Sequence, residues 1–122
     1  MSAAPPKKQG WKRLIKATEY SVAGLKAGWS VEESFRWNVV IALVLFPIGC
    51  YVGETGTEKV LLAVMPFLPS VVELLNSAIE AIVDRVGTDY HELSGRAKDL
   101  GSAAVMCTWF MVALTWIIIL LT

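Results

Sequence analysis

Residues 101–122, GSAAVMCTWFMVALTWIIILLT, hold no charged side chain. At a rise of about 1.5 Å per residue, a helix of that length crosses a hydrocarbon core of roughly 30 Å. Two more uncharged runs precede it, residues 37–53 (WNVVIALVLFPIGCYVG) and residues 60–72 (VLLAVMPFLPSVV). The first is short for a span, so its helix is expected to begin near Glu32; Gly53 to Thr57 read as the turn that follows. Composition agrees with this reading. Of 122 residues, 55% are hydrophobic and 18% charged, with a mean hydropathy of +0.54, against about 45–50% apolar and 25% charged in soluble domains. The expected fold is an all-α membrane protein, with spans at about 32–52, 58–84 and 96–121. Pro66 and Pro69 are expected to kink the outer half of the second span.

Eleven Lys/Arg balance eleven Asp/Glu, which leaves no basis for a generally basic nucleic-acid binder. The basic residues are nonetheless unevenly placed. Lys7, Lys8, Lys12, Arg13, Lys16, Lys26 and Arg36 precede or open the first span, Lys59 alone lies in the turn after it, and Arg85, Arg96 and Lys98 flank the second loop. Lys/Arg excess marks the cytoplasmic side, so the N-terminus and the 85–99 loop are expected inside and the C-terminus outside. Residues 1–28 are rich in lysine and arginine and carry no apolar core of a signal peptide. Residues 1–10 read as a disordered tail and 11–122 as a single domain. Within it Trp11, Leu14, Ile15, Val22, Leu25 and Trp29 recur at helical spacing, while Lys12, Arg13, Lys16, Glu19 and Lys26 fall largely elsewhere. An amphipathic surface helix over about 11–28, lying on the bilayer, is the expectation. Cys50 and Cys107 sit in separate spans at different depths, and neither a disulfide nor a cysteine metal site is expected.

Ionisable groups inside a membrane segment are costly and point to function. Glu73, Asn76, Glu80 and Asp84 stand at i, i+3, i+7 and i+11, close to one stripe of a helix. An interhelical hydrogen-bonding seam would account for Asn76 alone, but not for three carboxylates beside it. Glu32 and Glu33 precede the first span, and Gly95-Arg96-Ala97-Lys98-Asp99 opens the third. Carboxylates from separate helices suit a hard cation such as Mg²⁺, which takes one or two protein carboxylates together with phosphate oxygens. A nearby lysine suits phosphate. Together these features suggest a magnesium-nucleotide site, with Glu73 deeper, where an apolar substrate arrives from the side. The soluble nucleotide-binding signatures are missing: there is no G-x-x-x-x-G-K-[ST], H-R-D or D-F-G. His91, the only histidine, lies in a polar stretch and reads as either solvated or a ligand. Gly101, Ala104 and Thr108 form a small-residue stripe suited to helix packing.

Residues 73–85, ELLNSAIEAIVDR, and 90–104, YHELSGRAKDLGSAA, closely resemble the bacterial membrane diacylglycerol kinases. The likeness extends through residues 13–17, Tyr20, Ser21, Gly24, Leu25, Trp29, Glu32, Phe35 and Arg36, and so covers nearly the whole chain. The resemblance implies a homotrimer of three-span subunits in the bacterial inner membrane, phosphorylating diacylglycerol from ATP and Mg²⁺ to give phosphatidic acid. Carried over by position, it implies Glu73 as general base, Asn76 and Lys98 around the transferred phosphate, and Glu32 and Glu80 as metal ligands. It further implies nucleotide contacts from Arg13, Tyr20, Asp89, Tyr90, His91 and Asp99, in addition to Glu32, Glu80 and Lys98. Arg13, Glu73 and Ser102 would lie near the lipid. At Trp37 and Asn38 the family pattern is often more polar or acidic, so no acidic role is carried over there. The related undecaprenol kinases share the E-x-x-N core and the K-D pair, but residues 90–96, YHELSGR, look closer to the diacylglycerol enzymes. A rival from another class is a small proton-coupled transporter, which also needs an intramembrane carboxylate. Against it, the carboxylates cluster at one face, and residues 60–72 offer only Ser70 as a polar side chain.

Overall fold

A computed structural model describes residues 10–122; all but the last residue of the expected 1–10 tail lies outside them. Among the described residues the ordered elements are all helical. Helix α1 spans Trp11–Val31 and follows Gly10, whose φ of 62° suits a residue without a Cβ. It ends at Glu32, where an extended backbone (φ −103°, ψ 103°) breaks the helical path, and α2 resumes at once over Glu33–Val52. Pro47 lies inside α2, on an exposed face, and the helix continues through it. At Gly53 the chain turns, and Thr55 starts the next helix with a reciprocal cap. The Thr55 hydroxyl accepts from the Glu58 backbone N–H at 3.1 Å, and the Glu58 carboxylate accepts from the Thr55 N–H at 3.3 Å.

Helix α3 spans Gly56–Val86 but is regular only at its two ends. After Gly56–Lys59 it widens to a π turn over Val60–Val64, then tightens to a 3₁₀ turn over Met65–Phe67. Regular α geometry returns over Leu68–Val86. Pro66 and Pro69 lack the N–H groups that would bond four residues back, and both are fully buried. The prolines expected to kink this half are thus accommodated by a changed hydrogen-bond pattern spread over two turns. The same stretch meets α2 closely: a Cβ on Gly49 would lie 2.6 Å from the Leu62 carbonyl carbon. Ala42, Leu62 and Ala63 complete that contact as buried core.

The final helix, α4, spans Glu92–Leu121. Its start precedes the expected one near residue 96, and it takes in polar residues of the 85–99 stretch that read as loop. Capping explains the difference. His91 Nδ1 accepts from the Leu93 N–H at 3.1 Å, the His91 carbonyl accepts from Gly95 N–H at 3.0 Å, and Glu92 pairs with Arg96 at 3.4 Å one turn on. Of the small-residue stripe on α4, Gly101 and Thr108 are buried and Ala104 is exposed. Cys50 and Cys107 are free and exposed. Three helices, α2, α3 and α4, are long and apolar enough to cross a membrane.

Candidate active site

One face of α3 opens into a cleft of about 480 Å³ shared with α2 and α4. The periodicity of regular α-helix over Leu68–Val86 turns Glu73, Asn76 and Glu80 to this one side. Glu73 and Asn76 are 7% and 6% exposed, burial that polar side chains rarely reach without a purpose. Glu80 is half-buried. Facing them are Glu32, at the break between α1 and α2, and Asn38 on α2. From α4 come Ser102 and an apolar wall of Val105, Met106 and Trp109. The cleft is therefore polar along α3 and apolar along much of α4.

Asn76 is held by close packing. A Cβ on Gly101 would collide with the Asn76 side-chain oxygen, so α3 and α4 approach there only because residue 101 is glycine. Its Nδ2 donates to Glu80 Oε1 over a long 3.4 Å, whereas Oδ1 is buried without a donor in the protein. A buried acceptor left unpaired is costly, and this one is packed against the backbone of α4 at Gly101.

Glu32 and Glu80 bring two carboxylates to the cleft from different elements. No group of three or more His, Cys, Asp or Glu among the described residues is arranged to hold a metal. Two hard oxygen donors fit Mg²⁺, which commonly takes one or two protein carboxylates and completes its coordination with water and phosphate oxygens. Glu32 also borders a second, mainly apolar groove of about 590 Å³ between α1 and α3, lined by Leu25, Val31, Leu74, Ala78 and Ala81.

The remaining residues that sequence reasoning singled out lie elsewhere. Lys98 Nζ is 2.7 Å from Asp84 Oδ1 and lines a smaller pocket of about 200 Å³ with Asp89, Tyr90 and His91. Within one chain Lys98 and Asn76 therefore do not line the same cavity, and Asp84 belongs to the Lys98 pocket instead of continuing the stripe into the cleft. His91 uses Nδ1 as a helix cap, which leaves Nε2 for any ligand. Arg13, Tyr20 and Asp99 are exposed and line neither cavity. Ser34, Asn38 and Trp109 line the cleft without having been picked out as site residues. For Asn38 a signal existed, since it is the one amide in the uncharged run 37–53; for Trp109 there was none, because tryptophan is common in spans.

Comparison with known proteins adds independent information. Residues 19–120 match the family described as prokaryotic diacylglycerol kinase. The diacylglycerol kinase of Escherichia coli strain K12 is 49% identical over 111 residues, covering 91% of this chain and 91% of that protein. That of Haemophilus influenzae is 44% identical over 110 residues, 90% of this chain and 93% of its own. The Pseudomonas aeruginosa protein of the same name is 44% identical over 122 residues, 99% of each chain.

Proposed function

The chain belongs to the prokaryotic diacylglycerol kinase family, and from that premise we propose that it transfers the γ-phosphate of MgATP to the primary hydroxyl of diacylglycerol, giving phosphatidic acid. It is an ATP-dependent lipid kinase and an integral membrane protein. We place its chemistry at the cytoplasmic face of the bacterial inner membrane, with the N-terminus inside and the C-terminus outside. The Lys/Arg distribution supports that orientation.

The observation that carries the reading is a buried carboxylate, Glu73, in a cleft with one polar and one apolar wall. Phosphoryl transfer needs positioning and charge stabilisation more than covalent help, and the cleft offers both. Glu73 takes the proton of the lipid hydroxyl as that oxygen attacks the γ-phosphorus in line, and the bond to the bridging oxygen breaks to release ADP. Asn76 and Lys98 steady the transferred phosphate, and Ser102 lies beside the acceptor. Glu32 and Glu80 hold Mg²⁺, which when bound neutralises charge on the phosphate oxygens. Arg13, Tyr20, Asp89, Tyr90, His91 and Asp99 contact the nucleotide, and Arg13 also reaches the lipid.

Several of these groups lie outside the cleft of a single chain, which supports assembly as a homotrimer whose neighbouring subunits complete each site. Helix α1 then lies along the membrane surface, where its basic residues meet headgroups. The test is ATP consumption in detergent micelles, where no ion gradient exists. Consumption that requires diacylglycerol, and is slower with a polyprenol, is the expected result. A chain that consumes no ATP under any lipid would refute the kinase reading, and a polyprenol preference would move the acceptor.

A further inference from the structure

The end of α1 lacks the features that usually finish a helix. Its last turn carries no basic residue, no glycine follows it, and the residue at its C-cap is Glu32 in extended conformation. Helix C-termini leave carbonyls without intrahelical partners, and these need a donor from elsewhere. Here the donor comes from the next helix. Arg36 on α2 reaches back with Nη1 to the Trp29 carbonyl at 2.7 Å and to the Ser30 carbonyl at 3.4 Å. Its own backbone N–H bonds the Glu32 carbonyl at 3.3 Å, while the Glu32 N–H bonds Gly28 at 3.0 Å. Glu32 is thus fastened through its backbone on both sides, and one arginine closes the bend in which it sits.

The bend is also pinned to α3. Gly28 is buried, and a Cβ there would meet Leu74 Cδ2 at 2.9 Å and the Phe35 ring at 3.3 Å. Leu74 is the neighbour of Glu73. A change in the angle between α1 and α2 would therefore move Glu32 relative to the face that bears Glu73 and Glu80. We infer that Arg36 is a positioning residue for the metal site: by capping the end of α1 it holds the α1–α2 bend, and so keeps the Glu32 carboxylate opposite Glu80. This rests on the proposal that Glu32 and Glu80 hold Mg²⁺.

The test uses the full-length protein in mixed micelles with Arg36→Ala, and with Arg36→Lys, which keeps the charge but replaces the planar guanidinium by a point donor. The Mg²⁺ concentration for half-maximal rate is expected to rise about tenfold or more in Arg36→Ala, as for other residues that orient a metal ligand, and less in Arg36→Lys. In a Glu32→Gln background the same substitutions are expected to add less than twofold. A second readout needs neither metal nor turnover: spin labels on cysteines replacing Val22 and Ile41, in a chain lacking Cys50 and Cys107, report the α1–α2 distance. That distance is expected to shift or broaden in Arg36→Ala. If Arg36→Ala lowers the amount of folded protein but leaves Mg²⁺ dependence and label distance unchanged, the inference is overturned. If Glu32→Gln leaves Mg²⁺ dependence unchanged, the metal assignment fails instead; the label distance still decides whether Arg36 sets the bend.

Discussion

Glu73 and Gly101 have opposite requirements, one for a chemical group and the other for its absence. Glu73→Gln keeps the shape of a buried side chain and removes its ability to accept a proton. Assembly should persist while the rate at saturating lipid falls about 10²- to 10⁴-fold, the usual worth of a general base; retention of more than half the activity would rule the assignment out. At position 101 the added methyl of Gly101→Ala runs into the Asn76 side-chain oxygen. Overpacking of this kind costs about 1–3 kcal/mol, and Asn76 is the group that must give way. Thermal stability is therefore expected to fall modestly, while activity falls further than the folded fraction does. Equal losses in both would mean that Asn76 tolerates displacement.

At the level of elements, what was legible depended on whether local physics decided the outcome. That Glu73, Asn76 and Glu80 share a face followed from helical periodicity alone, since Leu68–Val86 is regular. Asp84 was grouped with them by the same rule, yet it pairs with Lys98, a partner 14 residues away that periodicity does not reveal. The early start of α4 turned on a histidine acting as cap, a role more often filled by Ser, Thr, Asp or Asn. Least legible was the π turn over Val60–Val64, because a uniformly apolar run carries no periodic signal. A π turn closes rings from i to i+5, and so holds one residue more than an α turn. Deleting Val64 should return the segment to α geometry and leave the two halves of α3 facing as before. Deleting Val71, in the regular part, rotates everything before it by about 100° relative to Glu73. Activity is expected to survive the first deletion better than the second, measured per folded protein; equal losses would show that the wide turn has a use of its own.

A single chain leaves most of its three apolar helices exposed, α4 above all, and its Arg13 does not line the cleft that contains Glu73. If neighbouring subunits complete each site, Arg13→Ala and Glu73→Gln damage different halves of it. Reassembling the two inactive proteins together from denatured mixtures should then restore measurable activity that neither shows alone, once crosslinking has confirmed mixed assemblies. Confirmed mixing without recovery would assign both groups to one subunit. The apolar wall of Val105, Met106 and Trp109 beside the polar side of the cleft has a further consequence, for how substrate is counted. A catalyst that meets its acceptor only within an apolar film senses crowding in two dimensions, so its saturation should follow the mole fraction of diacylglycerol in the micelle. Diluting a fixed quantity of lipid with inert detergent should slow the reaction, although the concentration per litre has not changed. Diluting lipid and detergent together with buffer should leave the turnover of each enzyme molecule nearly the same.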